Sequence, residues 1–186
     1  MNFWGNLIGY QVVWFTAVIG AAHGKTWPGV TVGALFVLWQ ILRADYPYAE
    51  WRLLICAVTL GIVIEGVLAR TSWATYAASA PAIPPGGAPL WILAIWASFS
   101  TTLNRSLAYL RERLWLAWLL GAIGAPLAYL GAQRGWGSVV FQQPSWRGLT
   151  WIACSWAVAM PLLAFLARRW TSLYRLKPAL IRTTKS

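Results

Sequence analysis

Acidic side chains are scarce in this chain: four Asp and Glu stand among 186 residues, against 15 Lys and Arg. Histidine occurs once and cysteine twice. With His23 alone and no His/Cys/Asp cluster, no hydrolytic triad or metal-ligand set can be assembled from motifs, and no P-loop or dinucleotide fingerprint is present. No cofactor and no metal are therefore expected. Cys56 and Cys154 both fall within apolar stretches, which argues against a disulfide framework or a thiolate metal site. Charge of either sign makes up 10% of the chain, whereas a soluble domain carries roughly 25%. That shortfall leaves much of the surface facing something other than water.

What the chain has in abundance is hydrocarbon. It is 59% hydrophobic with a mean hydropathy of +0.57, and it contains 15 Trp, a residue that gathers at membrane interfaces. The net charge of +11 would suit nucleic acid, but the basic residues lie between and after apolar runs instead of along one soluble face. No nucleic acid partner is expected. The start, Met1-Asn2-Phe3-Trp4, lacks a positive n-region, so the first apolar run reads as a retained helix and not as a signal peptide.

A membrane-crossing helix needs ~20 mainly apolar residues. On that measure the sequence predicts an all-α, polytopic bundle of six spans, at about residues 3–22, 28–42, 51–69, 89–110, 114–133 and 149–167. Together these form a transmembrane domain over 1–169, and a basic tail follows over 170–186. Pro28 suits the first position of the second helix, where its missing N–H is not needed. That run is short, so five or seven spans follow if it is re-entrant. Residues 71–88 hold Pro81, Pro84, Pro85 and Gly86-Gly87 and read as an uncharged loop near the interface. Pro161 is expected to kink the sixth helix.

Loop charge sets the orientation. With a cytoplasmic amino terminus, Arg43, Arg52, Arg105, Arg111, Arg113, Arg168, Arg169, Arg175, Lys177, Arg182 and Lys185 face inward. Only Lys25, Arg70, Arg134 and Arg147 face outward, so both termini are expected inside. Trp4, Trp27, Trp51, Trp73, Trp91, Trp115, Trp136, Trp146, Trp151 and Trp170 fall near span ends, consistent with two aromatic belts. The pairs Gly5/Gly9, Gly20/Gly24, Gly29/Gly33 and Gly131/Gly135 would let helices approach closely. The tail carries only basic charge and suits an anionic inner leaflet.

Two polar groups lie inside the predicted spans. An ionisable side chain in a membrane costs ~2.5–3.5 kcal/mol on insertion scales, and Glu65 is the one carboxylate so placed. His23 and Tyr129 share its depth, which makes an outward pocket of Glu65, His23 and Tyr129 one reading and a packing hydrogen bond the other. Nearer the cytoplasm lie Asn6, Gln40, Asn104 and Arg105, with Gln11 near mid-membrane, and Tyr10 is counted with this inner group. These read either as a polar cavity for a lipid head group or anionic solute, or as interhelical glue.

Asn6-Leu-Ile-Gly-Tyr10-Gln11-Val-Val-Trp14-Phe15, Thr101-Thr102-Leu103-Asn104-Arg105-Ser106-Leu107 and Gly124-Ala-Pro126-Leu127-Ala128-Tyr129 resemble the recurring segments of a small bacterial inner-membrane family. It is a domain of unknown function, number 2878, and the likeness covers most of the chain, about residues 2–167. The chain departs from the family in carrying Arg105 where a His follows the Asn. The resemblance implies a multi-pass protein of the bacterial inner membrane, but no assigned activity. It also implies a setting beside cyclopropane-fatty-acid-synthase-like methyltransferases and flavin-dependent oxidoreductases. On that basis membrane lipids, and a peripheral lipid-modifying enzyme, are the expected partners. Three functions stay open: an accessory or enzyme of membrane-lipid (fatty-acyl) modification, a small proton-coupled transporter or flippase, and a non-catalytic scaffold.

Overall fold

The computed structural model describes residues 3–183, with side chains described through residue 173; the basic side chains expected from 174 onward lie outside the described residues. Six α-helices appear there: α1 (Phe3–Ala22), α2 (Trp27–Leu42), α3 (Pro47–Arg70), α4 (Leu90–Ser100), α5 (Leu114–Trp136) and α6 (Trp146–Thr183). Four of them, α1, α3, α5 and α6, are long and apolar enough to cross a membrane. The other two are apolar but shorter. At 1.5 Å per residue the 11 residues of α4 reach only about 16 Å, half of a hydrocarbon core.

Local chemistry sets the element ends. Pro28 and Pro47 lie in the first turns of α2 and α3, where a missing N–H leaves no gap in the ladder. α5 ends at Gly137, whose φ of +65° takes the left-handed cap conformation and whose N–H returns to the Gln133 carbonyl. α6 passes Pro161 as one continuous helix and extends well beyond the predicted 149–167.

The predicted span at 89–110 is not one helix. α4 stops at Ser100, residues 101–107 form turns, and a 3-10 helix covers Ala108–Glu112. Ser98, Ser100, Thr101 and Thr102 explain the break: their hydroxyls donate to the carbonyls of Ala94, Ala97, Ser98 and Phe99 at 2.7–2.8 Å. Four side-chain bonds of this kind within five residues compete with the helical ladder. Beyond them the Leu107 N–H reaches five residues back to the Thr102 carbonyl.

The loop over 71–88 is not structureless either. It holds β1 (Ala74–Tyr76), β2 (Ala82–Ile83) and β3 (Ala88–Pro89), and β4 (Val139–Phe141) follows α5. β1 pairs antiparallel with β4, matching Ala74 to Phe141 and Tyr76 to Val139, and β2 pairs with β3. The all-α expectation therefore needs two small sheets added, both at one end of the bundle. β1 and β4 each bury their outer two residues and expose the middle one, the alternation of a half-buried strand.

Glycines set the closest helix approaches. A Cβ on Gly29 would lie 2.6 Å from Ala17 Cβ, and one on Gly121 would overlap the Trp156 carbonyl. Gly9 against Phe36 and Gly29 against Ala17 put α1 and α2 antiparallel, while Gly33 against Ala94 packs α2 on α4. Gly131 and Gly135 face open space, so that pair mediates no contact within the chain. Trp4, Trp27, Trp115 and Trp146 are more than half exposed, as a belt requires, but Trp91 is 1% exposed and belongs to the core. Its N–H donates to the Ala78 carbonyl at 3.0 Å.

Candidate functional site

Glu65, in the second half of α3, is fully buried. Its Oε2 accepts from the Tyr76 hydroxyl at 2.7 Å, and its Oε1 accepts from Trp96 Nε1 at 2.9 Å and from the Tyr129 hydroxyl. An indole N–H can only donate, which fixes the direction of the Trp96 bond. Among the described residues no cation pairs with this carboxyl. Four segments thereby meet at one side chain: α3, β1, α4 and α5. Beside it, Trp151 Nε1 donates to the Ile64 carbonyl at 3.0 Å and ties α6 to the same turn of α3. Burial, and then the charge of Glu65, push the Tyr76 phenol well above its usual range. Tyr76 therefore stays protonated and remains a donor.

Of the three residues expected in the outer pocket, the fold joins Glu65 and Tyr129 and leaves out His23. The His23 ring is exposed at the end of α1 and bonds its own helix at the Ile19 carbonyl, 2.9 Å away. That bond turns the ring back on α1, and the ring is not among the partners of Glu65. Tyr76 and Trp96 are the members that depth counting missed. Tyr76 comes from the loop, where no helical period exists to place it, and Trp96 reads as one more membrane tryptophan.

The other polar group divides in two. At the end of the bundle where α1 begins, Asn6 Oδ1 accepts from the Ser106 hydroxyl at 2.6 Å and from the Ser106 N–H at 3.3 Å. The Gly9–Phe36 contact sets Gln40 of α2 at the level of Asn6, one turn further along antiparallel helices. Asn104 Oδ1 accepts from Arg111 at 3.0 Å and Thr171 at 3.3 Å, and Arg105 donates to the Arg43 carbonyl at 2.8 Å. Glu50 lies beside Asn104, Arg105 and Arg111. Several buried atoms here have no partner among the described residues: Asn6 Nδ2, both amide atoms of Gln40, and Glu50 Oε2.

Tyr10 and Gln11 belong elsewhere. They line a cavity of about 330 Å³ between α1, α4, α5 and α6, a size within the ~300–1,000 Å³ of small-molecule pockets. Its floor is aromatic: Trp96 and Trp156 stack at 4.2 Å between centroids, and Phe99 stands edge-on to Trp156 and to Tyr10. Tyr129 reaches the wall from the Glu65 node, while Thr102 and Ser106 bring in the unwound segment after α4. Irregular backbone at such a depth is tolerated where it is buried in protein or lines a cavity. Trp156 Nε1 approaches the Tyr129 hydroxyl outside good hydrogen-bond geometry.

Among the described residues no group of three His, Cys, Asp or Glu could hold a metal ion. Chemically, the site offers an apolar, aromatic-floored recess with a few hydroxyls and amides, suited to binding a hydrophobic molecule. No curated protein and no solved structure matches the chain. The family model described as "Protein of unknown function (DUF2878)" matches residues 3–162, so the protein is a member of the DUF2878 family.

Proposed function

We propose that this protein is a multi-pass component of the bacterial inner membrane, with both termini cytoplasmic, that binds a fatty-acyl chain as part of membrane-lipid modification. The observation that carries the reading is the cavity between α1, α4, α5 and α6. Its walls are largely apolar, its volume of about 330 Å³ suits part of an acyl chain, and three of its four helices, α1, α5 and α6, are long and apolar enough to cross a membrane. A peripheral lipid-modifying enzyme is the partner that fits this role.

The transporter alternative rests on Glu65 as a coupling carboxylate. Complete burial and three donors from three other segments favour a packing role for that residue. The scaffold alternative rests on basic tail residues from 174 onward, outside the described side chains.

Filling the cavity tests the proposal. A Cβ on Gly124 meets no atom within 4 Å, so Gly124→Phe places a ring in the recess without displacing backbone. Lipids extracted from purified wild-type protein should include a bound acyl species that the Gly124→Phe protein loses while keeping its thermal stability. Identical lipid content in the two proteins would overturn the reading.

A further inference from the structure

The seam between α1 and α5 shows how a ligand reaches the cavity and what part of the ligand is recognised. α5 packs chiefly against α6 and touches α1 only sparsely. At the strand-bearing end, Trp14 and Phe15 of α1 close the seam edge-on against Trp136 of α5, at 6.0 and 5.6 Å between centroids. Below that clasp the cavity wall includes Leu7 and Gln11 on α1 and Leu120, Gly124 and Ala128 on α5. Gln11, Leu120, Gly124 and Ala128 are all exposed on the outside of the bundle. The recess therefore opens sideways, toward the hydrocarbon, and Leu7 and Gln11 also line the shallow groove on the outer face of α1.

Two polar groups that line the cavity have no hydrogen-bond partner among the described residues. The Tyr10 hydroxyl makes no hydrogen bond among the described residues, although its ring is packed against Phe99. The Gln11 amide likewise has none. Gln11 is eight residues from the start of a 20-residue helix, about 12 Å along a rod of about 30 Å. That is close to the middle of a hydrocarbon core. An amide and a phenol left unpaired there are costly, and a lipid head group, held at the interface, cannot reach them.

We infer that the acyl chain bound here carries an oxygen function part-way along its length, taken in sideways between α1 and α5 and held by the Tyr10 hydroxyl and the Gln11 amide. The inference rests on the acyl-binding reading above and names its substrate class. Phenol and amide each both donate and accept, so a mid-chain hydroxyl or keto oxygen satisfies them, whereas a plain methylene chain does not.

The test compares two probes with the same carboxylate head, stearate and 12-hydroxystearate, binding to the full-length protein in nanodiscs by native mass spectrometry. Wild type should hold 12-hydroxystearate roughly tenfold more tightly, the equivalent of one net hydrogen bond. In Tyr10→Phe and Gln11→Leu, singly and together, the preference should fall toward one while stearate still binds, which also shows that the variants are folded. If wild type binds neither probe, the acyl-binding reading fails. If it binds both equally, that reading stands and the mid-chain inference is overturned. A dimer lost in Gln11→Leu with no ligand preference in wild type would assign Gln11 to a second copy and overturn it as well.

Discussion

The two polar groups of this bundle differ in one decisive way. Around Glu65, every carboxylate oxygen has a donor and every donor is itself anchored in a different segment. Around Asn6 and Gln40, at the other end, buried amides outnumber their partners, and Gln40 has none at either atom. A satisfied buried network rigidifies what it joins, while a partly satisfied one costs stability or awaits water or solute. The chain thus has one end built to hold four segments together and another where only some of the buried polar atoms are bonded among the described residues.

Removing the hub should have the largest effect. Glu65→Ala leaves Trp96, Tyr129 and Tyr76 as buried donors with no acceptor, each worth about 1–3 kcal/mol. Non-additive loss of about 3 kcal/mol or more is expected in reversible unfolding from mixed micelles. Glu65→Gln keeps one acceptor oxygen and should lose less. If Glu65→Ala were as stable as wild type, the node would not be the clasp described here.

Trimming single spokes comes next. Tyr129→Phe and Tyr76→Phe each remove one hydroxyl from the Glu65 carboxyl and should cost about 1–3 kcal/mol, the range for leaving a buried polar atom short of a partner. Because both bonds end on Glu65, their double mutant should depart from additivity. A strictly additive pair would mean that the two tyrosines act independently.

How much of this was legible in the sequence follows from what each signal measures. Hydropathy marked α1, α2, α3, α5 and α6 because a run of apolar residues is a local property. It carried across the end of α4 because Ser98, Ser100, Thr101 and Thr102 are tolerated in apolar runs, while their bonds to nearby carbonyls are invisible to a hydropathy sum. Depth counting brought Tyr129 to Glu65 correctly, since rise per residue is fixed. It also grouped His23 with Glu65, yet the exposed His23 ring bonds its own helix, because rise along a helix says nothing of which way a side chain turns. The pairing of β1 with β4 joins residues more than sixty positions apart, beyond the reach of any local pattern. Trp91, Trp96 and Trp156 look like belt residues by type, and only their burial separates them from Trp4 or Trp115.

At the opposite end, Asn6→Leu should have a smaller cost than either tyrosine change. It strands the Ser106 hydroxyl and N–H, but it also removes the unpaired Nδ2. The two effects partly offset each other, and a net loss of about 1 kcal/mol is expected.

The smallest effect, and the sharpest test of the contrast, is at Gln40. Replacing a buried polar group whose atoms have no partner by an apolar one of similar size removes a desolvation cost and strands nothing. Gln40→Leu should therefore be neutral or stabilising by up to about 1 kcal/mol in the same unfolding measurement. The opposite sign would be informative. If Gln40→Leu costs as much as Tyr129→Phe, the amide is bonded in the membrane by something outside the chain. The Asn6 end would then be an occupied polar site and not a set of idle amides. Repeating the measurement with Asn6→Leu in the same chain would locate that occupant, because a shared water or solute couples the two losses, whereas separate idle amides at the same level of α1 and α2 would add.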